Sequence, residues 1–243
     1  MLDITPWFFI TLPAVSTLCL IPGLALLSAD AAAHVPAGQQ ILWQKDIRQL
    51  VELDRAQPPQ TGGILFTGSS IFRFWSSLEQ DLDPLPVINR AFGGARTWEV
   101  LHYMEQIVLP YQPSIIMYYC GSNDIEFNAG TQTISQNFRF FVARIRQDLP
   151  RTRIYFVSIN RAPQKITKWS IIDAANKAVQ EYCRNTSGVD YIDVNQALFD
   201  ARQQPRYELF QEDGLHLRQA AYRAFTAIIK PILLQTWQNI IIK

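Results

Sequence analysis

Residues able to carry out acyl transfer stand at separated points of the chain. A Ser69-Ser70 pair follows Gly68, Asn123-Asp124 follows Gly121-Ser122, and Asp213 precedes His216 by three residues. A serine hydroxyl attacks a carbonyl only when a base takes its proton. An imidazole held at one nitrogen by a carboxylate offers the other nitrogen for that task. Among the three histidines, His34 lies near the N-terminus and His102 falls in a helical pattern. Only His216 sits in a predicted loop with a carboxylate three residues away. A turn at Gly214 can return Asp213 to the imidazole. The charge that develops on the carbonyl oxygen needs hydrogen-bond donors. The Asn123 amide and backbone N–H groups at Gly93-Gly94 are suited to supply them. Each piece alone is common: serines cap helices, and Asn and Asp punctuate loops. Their combination is what carries meaning.

The elements that must position these residues alternate. Ile64 to Gly68 is an apolar run of the kind that makes a buried strand, and aromatics at helical spacing follow the break at Gly68. Short strands are predicted at Pro86–Asn89, Ser114–Cys120, Arg153–Ile159 and Val189–Val194. Between and around them the pattern predicts helices at 37–55, Thr97–Val108, Ile134–Leu149, Ile171–Cys183 and Ala220–Trp237. Strands separated by helices require crossovers and hence a parallel sheet covered on both faces. The expectation is an α/β fold: a three-layer α/β/α sandwich with a flavodoxin-like, five-stranded parallel sheet. Function in such folds sits at the carboxyl ends of the strands. The serine, glycine, asparagine and Asp–His segments all fall in loops at that edge.

Residues Trp7 to Leu27 form an uncharged, mostly apolar run of 21 residues, long enough to span a bilayer. The small residues that follow suit a signal peptidase, but the n-region carries Asp3 and no cation. Residues 1–33 therefore read as a hydrophobic leader, either a signal peptide or a membrane anchor, ahead of a catalytic domain at 34–243. The expected location is exported or membrane-anchored, with membrane association through residues 7–27. The formal net charge of +1, with scattered basic residues, argues against nucleic acid as a partner. Cys19, Cys120 and Cys183 show no metal-ligand spacing and no disulfide framework; they read as inert free thiols.

With these blocks in order, the chain resembles the SGNH (GDSL-type) hydrolase family over about residues 62–235. Gly68-Ser69-Ser70 looks like its first block, which makes Ser70 the nucleophile. Phe92-Gly93-Gly94 looks like the second, with Gly94 giving its backbone N–H. Gly121-Ser122-Asn123-Asp124 is similar to the third, with Asn123 donating from its side chain. Asp213-Gly214-Leu215-His216 looks like the last, with His216 as base and Asp213 as its partner. Three features depart from the pattern. Ser69 stands where many members have Asp, Arg218 stands where relatives often read Asn, and Ala221-Tyr222 replaces a Gly-Tyr pair.

The resemblance implies a serine esterase or acylhydrolase with a Ser70–His216–Asp213 triad. Its oxyanion hole comprises the Ser70 and Gly94 amides and the Asn123 side chain. The implied substrate is a small-molecule carboxylic ester, on an acetylated carbohydrate or a lipid, and no metal or organic cofactor is called for. An O-acyltransferase using the same triad, or a non-catalytic binding protein on this fold, are the alternatives. Arg73, Arg96 and Arg161 are candidates to meet an acidic group, with solvated surface positions as the plainer reading. Trp75 and Trp98 read as core or groove walls.

Overall fold

The structure, a computed structural model, describes Pro36 and residues 38–242. The expected leader at 1–33, its apolar run, Cys19 and His34 lie outside the described residues. Among the described residues no helix is long and apolar enough to cross a membrane.

The sheet has five parallel strands: β1 (Ile64–Gly68), β2 (Val87–Asn89), β3 (Ile115–Tyr119), β4 (Arg153–Val157) and β5 (Val189–Ile192). Their spatial order is β2-β1-β3-β4-β5. This is the flavodoxin-like arrangement expected from the alternation of elements. The order reverses between β1 and β3, so a crevice opens above the ends of those two strands. Strands β1 and β3 are buried along their whole length. That is why they read as unbroken apolar runs rather than as alternating ones.

Helices cover both faces. On one face lie α1 (Gln44–Ala56), α4 (Thr97–Ile107), α6 (Thr131–Asp148) and α7 (Trp169–Arg184), packed over Leu65, Ile116, Tyr118, Ile154 and Phe156. On the other lie α2 (Ser70–Arg73), α3 (Leu78–Leu82), α8 (Asn195–Leu198) and α9 (Gln219–Ile241), over Ile64, Phe66, Met117, Tyr119 and Val157. A five-residue helix, α5 (Ser122–Glu126), follows β3. Burying each large apolar side chain of these clusters is worth roughly 1.5–3 kcal/mol. Trp75 and Trp98 are both buried, in the core as the sequence predicts. Trp75 stacks on Tyr222 with ring centroids 5.2 Å apart.

The first helix is shorter than its apolar pattern suggests. It starts at Gln44, because Trp43 adopts a left-handed conformation (φ 70°) and turns the preceding segment onto α4. There the Tyr103 hydroxyl donates to the Leu42 carbonyl and Arg96 donates to Gln39. Arg96 is the N-cap of α4 and Thr97 its first residue.

Gly68, the last residue of β1, pairs with Tyr119 of β3. A Cβ there would lie 1.8 Å from the Tyr119 carbonyl oxygen, and φ is 126°, so only glycine fits. Gly68→Ala should therefore lower stability by about 3 kcal/mol or more, read from the urea midpoint of unfolding.

Candidate active site

Immediately after Gly68 the Ser69 N–H donates to the Tyr119 carbonyl at 2.9 Å, which fastens the chain to β3 before it turns. Ser69 is extended and buried, and acts as the N-cap of α2. Ser70 is the first helical residue and half-buried. Its N–H belongs to the set that has no intrahelical acceptor. Its Oγ lies 3.1 Å from His216 Nε2.

His216 is held by a compact loop. Asp213 Oδ1 accepts the Leu215 and His216 N–H groups, each at 2.9 Å, and Asp213 Oδ2 lies 2.5 Å from His216 Nδ1. Partial burial pushes the Asp213 carboxyl up. The Leu215 N–H, the imidazole and the His216 N–H outweigh that effect and hold it below its ordinary value. A carboxylate at Nδ1 makes that nitrogen the donor, which leaves Nε2 as an acceptor facing Ser70. The loop is tied down at both flanks: Gln211 N–H donates to the His216 carbonyl at 2.7 Å, and Gln164 N–H donates to the Gly214 carbonyl at 3.0 Å. Tyr222 in α9 donates to the Ile71 carbonyl at 2.9 Å, so the helix after the histidine is pinned to the helix that starts at the serine.

The remaining predicted residues occupy loops fastened to the same edge. The Phe92 N–H donates to the Gly68 carbonyl at 3.0 Å, so the segment through Gly94 hangs from the end of β1. Gly94 has φ 73°, and a Cβ on it would come within 2.6 Å of the Trp43 ring. The Trp43 indole in turn donates to Glu99, which also binds Arg96. Asn123 Nδ2 donates to the Ala95 carbonyl at 2.9 Å. That bond uses one of its two N–H groups and leaves the other available.

Three supporting residues lie outside the predicted catalytic set. Buried Asp124 accepts the Thr97 N–H at 2.9 Å and its hydroxyl at 2.5 Å, locking the Asn123 loop to the start of α4. The Lys165 side chain is buried and donates to the Ser122 carbonyl at 3.1 Å and to Glu126 at 2.8 Å. Phe74 sets its ring edge-on to His216, centroids 5.0 Å apart. Asp124 had a signal, since it closes the third block. Lys165 lies 43 residues from its carbonyl partner, and no local pattern links them.

The candidate arginines divide. Arg96 is buried and paired with Glu99, and so is neither a surface residue nor open to a ligand. Arg161 lies over the Phe199 ring and near Asp173. Arg73 runs its stem along Gly93. Cys120 and Cys183 are buried free thiols.

A parallel 2-1-3-4-5 sheet, a serine at a strand-to-helix bend and an Asp–His loop within reach of it define a three-layer α/β fold of the SGNH hydrolase type. The GDSL-like lipase/acylhydrolase family matches residues 37–224, and the chain belongs to that family, whose members are hydrolases of ester bonds. Solved structures share the fold. A Streptococcus pneumoniae protein named for platelet activating factor superposes with a TM-score of 0.68 at 24% identity, over 78% of this chain and 92% of its own. A GDSL-like lipase from Bacteroides thetaiotaomicron gives 0.64 at 16% identity, over 79% and 98%. A carbohydrate esterase family 3 protein from Talaromyces cellulolyticus gives 0.58 at 17%, over 74% and 99%. A search of curated protein sequences finds no match.

Asp124 provides a pH signature. Burial pushes its carboxyl up to about 6 from an ordinary 3.8, against the Thr97 bonds that favour its charge. The folded state then binds that proton better than the unfolded chain does. Its contribution is fully present below the unfolded value and lost as pH rises through about 6. Urea unfolding between pH 4 and 7 should show a decline of up to about 3 kcal/mol, absent from Asp124→Asn, which cannot titrate.

Proposed function

We propose that the chain is a serine esterase in which Ser70 is the nucleophile, His216 the base and Asp213 its orienting partner. The observation that carries this reading is the line from Ser70 Oγ to His216 Nε2 at 3.1 Å and from His216 Nδ1 to Asp213 at 2.5 Å. His216 takes the hydroxyl proton as Ser70 Oγ attacks the ester carbonyl. The Ser70 and Gly94 N–H groups and the free Asn123 N–H receive the oxyanion. Each such donor lowers the barrier by about 3 kcal/mol. The new helix start at Ser70 adds a positive dipole end to the same charge. His216 then returns the proton to the leaving alcohol, and water releases the acid from Ser70.

The substrate is a carboxylic ester, either an acetylated carbohydrate or a lipid-like acyl ester. The family and the carbohydrate esterase among the neighbours support this range. Membrane association through residues 7–27 is part of the proposal and bears on a lipid substrate only.

Hydrolysis of p-nitrophenyl esters from acetate to decanoate by the full chain tests the assignment. Ser70→Ala should fall by about a million-fold in kcat. Asp213→Asn should lose about ten-thousand-fold by disturbing the imidazole tautomer, and Asn123→Ala a hundred- to thousand-fold, on the order of one lost oxyanion donor. Turnover by Ser70→Ala at the wild-type rate would refute the assignment.

A further inference from the structure

Two of the three oxyanion donors lean on one indole, given the serine-esterase reading above on which this inference rests. Gly94 has φ 73°, and the Trp43 ring lies against it: a Cβ on Gly94 would meet Trp43 Cζ2 at 2.6 Å and Cη2 at 2.8 Å. The same indole stands 6.3 Å from the Phe92 ring, centroid to centroid, so it borders both ends of the Phe92–Gly94 turn. Its N–H donates to Glu99 Oε1 at 3.1 Å. Glu99 is buried, and its Oε2 accepts the Arg96 backbone N–H at 2.9 Å and Arg96 Nε at 3.1 Å. The turn is therefore fastened at its start by the Gly68 carbonyl and at its end by Glu99, with the indole across the middle.

Ala95 stands inside that turn, and its carbonyl accepts Asn123 Nδ2 at 2.9 Å and the Cys120 thiol at 3.3 Å. A shift of the 94–95 segment would thus move the Gly94 N–H and release the Asn123 side chain together. Two successive glycines give this turn no side chains with which to hold its own shape, so the shape comes from what packs on it. Trp43 is brought there by the segment before α1. The Tyr103 hydroxyl donates to the Leu42 carbonyl and Arg96 donates to Gln39, and the left-handed Trp43 (φ 70°) then turns the chain into the helix. The serine and histidine are anchored separately, through the Tyr119 carbonyl and through Gln211 and Gln164.

We propose that Trp43 is a positioning residue for the oxyanion hole. By holding the 94–95 segment it aims the Gly94 N–H and, through the Ala95 carbonyl, the Asn123 amide at the charge that develops on the substrate oxygen. Donors aimed in advance favour the transition state over the bound ester, so their loss lowers kcat and leaves KM in place. A misplacement of about 1 Å is enough to cost about a hundred-fold. The proton path from Ser70 to His216 keeps its own anchors and is not altered.

Hydrolysis of p-nitrophenyl acetate by the full chain tests this. Trp43→Phe keeps a ring beside Phe92 but has neither the N–H for Glu99 nor the reach to Gly94. It should lower kcat by about ten- to a hundred-fold with KM within about two-fold of the wild type. Leu53→Ala, on the exposed side of α1, should change neither constant. In an Asn123→Ala background Trp43→Phe should cost markedly less than in the wild type, because one of the donors it aims is gone. A merely structural role would give equal losses in both backgrounds. Tyr103→Phe, which removes only the bond to the Leu42 carbonyl, should lower kcat by about two-fold or more, and it decides the matter if urea unfolding shows Trp43→Phe to be unfolded. An unchanged kcat in the folded variant, a rise in KM alone, or an undiminished loss in the Asn123→Ala background overturns the positioning role. Those results leave the esterase reading standing, whereas a wild-type chain with no ester turnover removes both.

Discussion

The approach of Gly68 to the Tyr119 carbonyl is the contact on which the site geometry depends. Gly68 ends β1 beside Tyr119 of β3 with φ 126°, a conformation that would drive any Cβ into the Tyr119 carbonyl. The chain leaving β1 has to turn at once, and the Ser69 N–H holds it to β3 while it does so. The turn is what makes Ser70 the first residue of a helix, with its hydroxyl at the crevice and its N–H unspent. A looser junction would allow an ordinary loop, and the serine would lose both its position and its dipole.

Around that junction the loops are fastened to one another rather than only to their own strands. The Gly94 segment hangs from the Gly68 carbonyl, the Asn123 loop is bonded to Ala95 and Thr97, and the 163–168 segment reaches both sides. From that last segment Lys165 grips Ser122, and Gln164 grips Gly214 in the histidine loop. A buried ammonium bonded to a backbone carbonyl is a demanding arrangement that persists only when well paired, and Glu126 pairs it. The effect is mechanical: the proposed base and the proposed oxyanion donor are braced by one short stretch of chain.

Much of this was readable from the sequence, for physical reasons. Unbroken apolar runs such as Ile115–Tyr119 announce strands buried on both faces, and their alternation with helices dictates the parallel sheet. Gly68, Gly94, Asn123, Asp213 and His216 were legible because each lies in a strand-end or pre-helix loop, where backbone geometry restricts the residue types. The start of α1 was misjudged because its apolar spacing continues through residues that Trp43 turns aside onto α4. Arg96 was read as surface because its pairing with Glu99 and Gln39 depends on the docked 38–43 segment. Lys165 meets Ser122 and Glu126 across distant segments of the chain, and no local periodicity encodes those contacts.

The most direct test of the central claim is covalent capture. The full chain would be treated with a fluorophosphonate and the adduct mapped by peptide mass spectrometry, beside Ser70→Ala and His216→Ala. The account predicts one adduct, on the Ser70 peptide, absent from Ser70→Ala and formed at a greatly reduced rate in His216→Ala. An adduct on Ser69 or another residue, or labelling at an unchanged rate without His216, would contradict it.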